Sequence, residues 1–212
     1  MKKFWIIALS VIIIAGIAFF AYQWFIKKNE NNDSNNYYAS RVGIHTENQT
    51  NTDNSQAHEP VETELYSYTT PIKDDRKNRL TNIKITCSRI NNTIVKSGKE
   101  FSFCDTVGQP SSADGYKPAD AFGSDGKVIQ AIGGGNCQVS TTIYNAALGA
   151  KGLKITERHE HDRDVAYVKD GKDATVAYDY LDLKFKNTND FDIKLYAFIS
   201  DNNVCVKIFK VE

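Results

Sequence analysis

The sequence predicts an α+β domain held behind an N-terminal transmembrane helix and a flexible stalk. Three observations carry this. Apolar residues recur at helical spacing in two internal stretches, short apolar runs between turn residues fill the C-terminal third, and a long uncharged apolar run opens the chain. At 212 residues, with 25% charged and 41% hydrophobic residues, the composition suits one globular domain with appendages. Lys plus Arg and Asp plus Glu both number 26, and no basic cluster appears, so nucleic acid is not an expected partner.

Residues 1–3 make a short cytoplasmic start. Phe4 to Ile26 is an uncharged apolar run of 23 residues, long enough to span a bilayer, with Trp5, Tyr22 and Trp24 where interfacial aromatics belong. It ends in Tyr22-Gln23-Trp24-Phe25-Ile26-Lys27-Lys28 rather than in a small-residue cleavage site, so an uncleaved anchor at 4–26 is expected. Lys2 and Lys3, with the amino terminus, slightly outweigh Lys27 and Lys28. The expected location is the cell membrane, single-pass, with the C-terminal part outside the cytoplasm. Residues 27–63 are rich in Asn, Asp, Ser, Thr, Gln and Glu and cannot bury a core, which predicts a polar stalk averaging roughly 30 to 35 Å end to end.

The globular part, 64–212, is expected to hold a helix on which Leu80, Ile83, Cys87, Ile90 and Ile94 share a face. A turn at Ser97-Gly98 and a short strand Phe101-Ser102-Phe103 follow, and Val128 to Ile132 lead into a glycine loop. Val165, Tyr167 and Val168 read as a strand. So do Ala174 to Tyr178, Leu183 to Lys186, Ile193 to Ile199 and Val204 to Phe209, with turns at 188–190 and 201–203, giving an antiparallel C-terminal meander. Cys87 and Cys205 read as core residues. A Cys87–Cys104 disulfide stays open for a domain outside the cell.

Gly133-Gly134-Gly135-Asn136-Cys137-Gln138-Val139-Ser140-Thr141-Thr142 is the stretch richest in chemistry. Val139, Ile143, Ala146, Ala147 and Ala150 have helical spacing, and Asn136 is a good N-cap, so Cys137 belongs in the first turn. There the unpaired N–H groups and the helix dipole favour a thiolate, and the glycines allow close approach to the backbone. Cys137 also lies roughly 140° from the buried stripe centred near Ile143 and Ala150, which sets it apart from a packing cysteine.

His159 and His161 follow, and residues two apart on a strand share a face. The chain's other two histidines, His45 and His58, fall in the polar stretch. A helix-terminal Cys with a His on a following strand suits thiol acyl transfer, in which imidazole takes the thiol proton. Asp173 or Asp182 is the candidate to orient the ring. The histidines also read as ordinary surface residues or, with Cys137, as metal ligands, although Cys-Xaa21-His-Xaa-His lacks the close ligand pair of a structural zinc site.

These segments resemble the VanW domain from about Tyr66 to Phe209. The matching runs include Arg79-Leu80-Thr81-Asn82, Gly98-Lys99-Glu100-Phe101-Ser102-Phe103, Val107-Gly108 and Gly115-Tyr116. They continue with Gly133 to Thr142, Tyr144-Asn145-Ala146-Ala147, Glu157-Arg158-His159 with His161, Gly171 with Asp173 to Val176, and Asp182 to Asn187. Asn136 replaces the usual aliphatic residue of the glycine–cysteine motif, and Ser97 stands where Pro is common. The resemblance implies L,D-transpeptidation of peptidoglycan, described for some clostridial members, through the motif cysteine, here Cys137.

The expected catalytic set is Cys137, His159, His161 and Asp173, with His159 slightly favoured as the thiol's partner because it belongs to the contiguous Glu157-Arg158-His159 segment. Gly133, Gly134, Gly135, Gln138, Ser140, Thr141 and Arg158 are expected to bind substrate or its oxyanion, with no metal and no cofactor. Peptidoglycan stem peptides are the expected partners. Resolution of the thioester by water would give a carboxypeptidase or endopeptidase instead, and a non-catalytic domain binding wall peptides or a protein is the alternative of another class.

Overall fold

Four strands and two helices build the main core. The computed structural model describes residues 61–123 and 127–212. The expected anchor at 4–26 and the stalk up to residue 60 lie outside these residues. Among the described residues no helix is long and apolar enough to cross a membrane. Strand β1, Glu62–Pro71, begins two residues before the expected start of the domain and forms the sheet edge that sequence reading left blank. Its alternation is hidden by Thr and Tyr residues, of which Thr70 alone is fully buried.

Helix α1, Lys77–Ile90, buries Ile83, Cys87 and Ile90. It stops at Asn91, and Asn92 adopts a left-handed φ of 67°. Ile94 therefore leaves the helical stripe and sits 51% exposed in strand β2, Thr93–Val95. Strand β3 is Glu100–Ser102. Phe103 opens the short helix α2, Phe103–Val107, whose start is capped by Ser102 Oγ accepting from the Asp105 amide. Strands β4, Pro118–Phe122, and β5, Val128–Ile132, pair as an antiparallel hairpin.

Helix α3, Asn136–Gly149, follows, then β6, Leu153–Glu157, β7, Lys184–Asn187, β8, Asp192–Ser200, and β9, Asn203–Val211. The first sheet runs β1-β9-β8-β2, antiparallel throughout. Asp201 and Asn202 make the β8–β9 turn with φ of 48° and 59°, a conformation these two residue types tolerate. Ile193, Leu195, Ala197, Val204, Val206 and Ile208 point inward against Ile83 and Ile90 of α1 and Val139, Ile143, Ala146 and Ala147 of α3. Each of these larger aliphatic side chains stabilises the core by roughly 1.5–3 kcal/mol.

The expected meander is shorter than its sequence suggests. β7 joins a second sheet, β3-β7-β6, where Phe185 stacks on Phe101 at 4.9 Å. Residues 165–168 and 174–178 form no strands, apart from isolated bridges at His159–Thr175 and Ala177–Leu181. Side chains of α3 supply the bonds that a ladder would have made: Ser140 Oγ donates to the Ala174 carbonyl at 2.6 Å, the Ala174 amide donates to Thr141 Oγ1 at 2.9 Å, and Asn145 Nδ2 donates to the Lys172 carbonyl at 2.7 Å. All four cysteines are free, so Cys87 and Cys104 are not joined.

Candidate active site

The glycine loop is shaped by what it packs against. A Cβ at Gly134 would lie 2.6 Å from the Asp120 carbonyl oxygen, and one at Gly133 2.9 Å from Pro110, while Gly133 and Gly135 have φ of 88° and 118°. The glycines therefore let the loop press onto β4 and turn sharply into α3. Gly135 is the cap residue. Asn136, expected as N-cap, is the first helical residue instead, and its Oδ1 accepts from Thr86 Oγ1 at 2.7 Å, tying α3 to α1.

Cys137 thus sits in the first turn of α3. The amides of Gly134, Asn136 and Gln138 donate to Ala131, Gly133 and Gly135 carbonyls. Those of Gly135 and Cys137 have no acceptor among the described residues. Two free donors beside a thiol at a helix start are suited to a negative oxygen.

The Cys137 sulfur lies 3.6 Å from Thr175 Oγ1 and 3.6 Å from the Val176 carbonyl oxygen, and the His161 ring stands near enough to act on its ionisation. His161 is 4% exposed at its side chain. Its Nδ1 donates to Asp173 Oδ2 at 2.6 Å, which leaves Nε2 as the ring nitrogen free for a proton from the thiol, and its backbone amide donates to the same oxygen at 2.7 Å. Asp173 is held in turn by Arg158, whose Nη2 donates to Oδ1 at 3.0 Å and whose Nε donates to the Asp173 backbone carbonyl at 2.6 Å. Arg158 also pairs with Glu160 and lies over the Tyr144 ring.

Burial opposes ionisation of the Cys137 thiol, but the hydrogen bond and charge of His161 outweigh it, and the thiol pKa falls below its usual value. Burial likewise opposes protonation of His161, and Cys137 with Asp173 outweigh it in the other direction, raising its pKa. The two shifts favour a thiolate–imidazolium pair. Asp173, despite its burial, is held below the ordinary carboxyl range by the amide and ring of His161.

The remaining expected residues divide by role. His159, slightly favoured from sequence, is not at the thiol: its Nε2 is 3.0 Å from Glu157 Oε1 and its side chain is 37% exposed. Strand β6 ends at Glu157, so the alternation that would put both histidines on one face does not continue past it. Asp182 accepts from Ser102 Oγ and from the Cys104 and Leu183 amides, away from His161. Gln138, 1% exposed, donates to the Pro71 carbonyl at 3.0 Å and to Thr70 Oγ1 at 3.2 Å, bracing α3 on β1. Ser140 and Thr141 pin the segment behind Asp173, and Arg158 positions Asp173 itself, so these four serve the frame.

A cleft of about 850 Å³ opens over Cys137 and His161, with the β4–β5 hairpin along one wall. Phe122 meets the His161 ring edge-on at 5.8 Å. Two cleft residues escape sequence reading. Tyr167 resembles a strand residue, yet it is half-buried in the lining of the cleft, within electrostatic reach of Cys137. Arg79 resembles a solvated helix charge, yet it lines the cleft with a side chain 13% exposed. Among the described residues no three His, Cys, Asp or Glu side chains are grouped to hold a metal ion.

The family model described as VanW like protein matches residues 78–209. The chain belongs to the VanW family. The match takes in every residue of the Cys137–His161–Asp173 array and leaves all of β1 outside it. Curated relatives include the uncharacterized protein YoaR of Bacillus subtilis (strain 168), 39% identical over 124 residues, which are 58% of this chain and 40% of that protein. Another is the vancomycin B-type resistance protein VanW of Enterococcus faecalis (strain ATCC 700802 / V583), 26% identical over 140 residues, 63% of this chain and 50% of that protein. The chain thus spans half or less of the length of these relatives. No solved structure matches it significantly.

Proposed function

We propose that this VanW-family chain is a cysteine acyltransferase of the L,D-transpeptidase type, acting on peptidoglycan stem peptides outside the cytoplasm and held at the membrane by residues 4–26. The observation that carries the reading is the Cys137–His161–Asp173 array at a helix N-terminus, a half-buried thiol beside a buried imidazole and carboxylate. His161 Nε2 takes the thiol proton, and Cys137 Sγ attacks a peptide carbonyl carbon. The Gly135 and Cys137 amides receive the oxyanion. Collapse breaks the C–N bond, His161 returns the proton to the departing amine, and a thioester remains.

An amine from a second stem then attacks the thioester, His161 takes its proton, and the Cys137 thiolate leaves, closing a crosslink. Water in place of the amine gives the hydrolysed peptide. No cofactor enters any step. The name of the Enterococcus relative, a vancomycin-resistance protein, agrees with wall peptides as substrates.

The test incubates the full chain with purified stem tetrapeptide and reads intact mass. A peptide adduct on Cys137 followed by crosslinked dimer is expected, and Cys137→Ala should give neither while unfolding at nearly the wild-type temperature. Turnover by purified Cys137→Ala would end the proposal. So would a wild-type thiol that forms no adduct with any stem peptide.

A further inference from the structure

Arg79 on α1 is a mostly buried cation that the Cys137–His161–Asp173 array does not use. Its stem packs on the glycine loop, where a Cβ at Gly135 would lie 3.4 Å from Arg79 Cγ. A guanidinium carries five N–H donors. Among the described residues Arg79 makes one hydrogen bond, from Nη2 to Gln138 Oε1 at 3.0 Å, and its buried Nε has no acceptor. Gln138 is itself clamped by Thr70 and Pro71, so Oε1 is held facing the guanidinium.

Asp74 does not complete Arg79. Its Oδ2 stands 3.9 Å from Nε, beyond hydrogen-bond reach, and both its oxygens are taken by Arg76 at 2.8 and 2.7 Å. Asp120 is likewise engaged by Arg76 and by Gln130. Asp74 and Asp120 line this part of the cleft with Arg79, and both carboxylates are bonded to Arg76, which leaves Arg79 without a carboxylate partner within hydrogen-bond distance. A buried guanidinium with unfilled donors is costly unless a ligand fills them.

We propose that Arg79 is the specificity residue of this site and binds the free C-terminal carboxylate of the donor peptide, one residue beyond the carbonyl that Cys137 attacks. The planar fork matches a carboxylate. Gly135 and Gln138, which hold Arg79, bracket Cys137 in the chain, so cation and nucleophile share one floor. A peptide residue advances about 3.5 Å, and a terminal carboxylate is the anion that every peptide end offers at that step. The consequence is a register set by chain ends: the terminal residue is expelled, and internal bonds, which present no carboxylate there, are passed over. This deepens the acyl-transfer reading and rests on it for the role of Cys137.

The experiment measures protection of Cys137 from iodoacetamide in the full chain by two probes, a synthetic stem tetrapeptide with a free C-terminal carboxylate and the same peptide as its C-terminal carboxamide. The acid should half-protect at a concentration about ten- to a hundredfold lower than the amide. Arg79→Gln should bring the two within about twofold by weakening the acid alone, and Arg79→Lys should keep part of the preference. Equal protection by acid and amide in the wild type, no protection by either, or equal weakening of both by Arg79→Gln would overturn the assignment. The wild-type comparison and Arg79→Lys decide the matter if Arg79→Gln fails to fold. Thioester mass is read separately, so acid-selective protection without any thioester upholds Arg79 as the carboxylate site and counts against acyl transfer alone.

Discussion

Two histidine–carboxylate pairs lie two residues apart in this chain, and they differ in what thiol chemistry requires. His161 and Asp173 are 4% and 9% exposed, joined at 2.6 Å, and the ring and Cys137 shift each other's ionisation. His159 and Glu157 are 37% and 30% exposed, joined at 3.0 Å, and Glu157 shares its charge with Lys184 at 2.9 Å. Water screens the outer pair and makes it worth little, whereas the inner pair is held rigid, dry and aimed. What separates them is burial and the direction of one ring nitrogen, not residue type.

The two pairs should differ most in catalysis. His161→Ala should lower the rate of acyl-enzyme formation by about 10²–10⁴-fold, the usual worth of a positioned acid–base group, while His159→Ala should stay within about threefold. Equal losses in the two variants, read by rapid-quench mass spectrometry, would mean that the outer pair also serves the reaction.

Their carboxylates should differ in stability. Asp173→Asn removes the charge facing Arg158 and His161, and breaking a buried pair in this way costs about 3–5 kcal/mol. Glu157→Gln at the outer pair should cost under about 1 kcal/mol. Urea denaturation of both variants checks the ordering, and an Asp173→Asn protein as stable as Glu157→Gln would contradict it. The acid limb should differ as well. Asp173 has a depressed pKa when folded, so its contribution is present above the unfolded value of about 3.9 and is lost as pH falls through the folded value. Asp173→Asn should therefore flatten the decline in stability on the acid side of pH 4.

A smaller effect concerns the thiol alone. With its pKa lowered by His161, Cys137 should be alkylated by iodoacetamide with a midpoint below the free-thiol value of about 8.5. His161→Ala should move that midpoint upward, because the imidazolium that stabilises the thiolate is gone. His159→Ala should leave the profile in place. An unmoved midpoint in His161→Ala would leave the helix terminus as the sole source of activation.

Local pattern made much of this legible. The helical spacing after Cys137, the Asp201-Asn202 turn and the alternating runs of β8 and β9 are short-range signals, and each element formed where its signal lies. The same pattern missed β1, whose polar-looking strand is buried at Thr70, and over-read residues 174–178, where α3 side chains take the bonds that a strand partner would have taken. It read Asn136 as a cap because the residue type suits one, and the nearby Thr86 hydroxyl claimed that side chain instead.

The amino-acid order alone determined that a thiol would stand in the first turn of a helix after three glycines, because capping chemistry and apolar period are written within a dozen residues. It also brought His159, His161 and Asp173 within one short stretch. Only the folded chain decided which histidine meets the sulfur, that Asp173 rather than Asp182 orients it, and that Arg79 reaches the cleft from another helix. Those outcomes depend on where β6 stops and on which distant backbones crowd the glycines, and contacts between residues tens of positions apart leave no trace in local spacing.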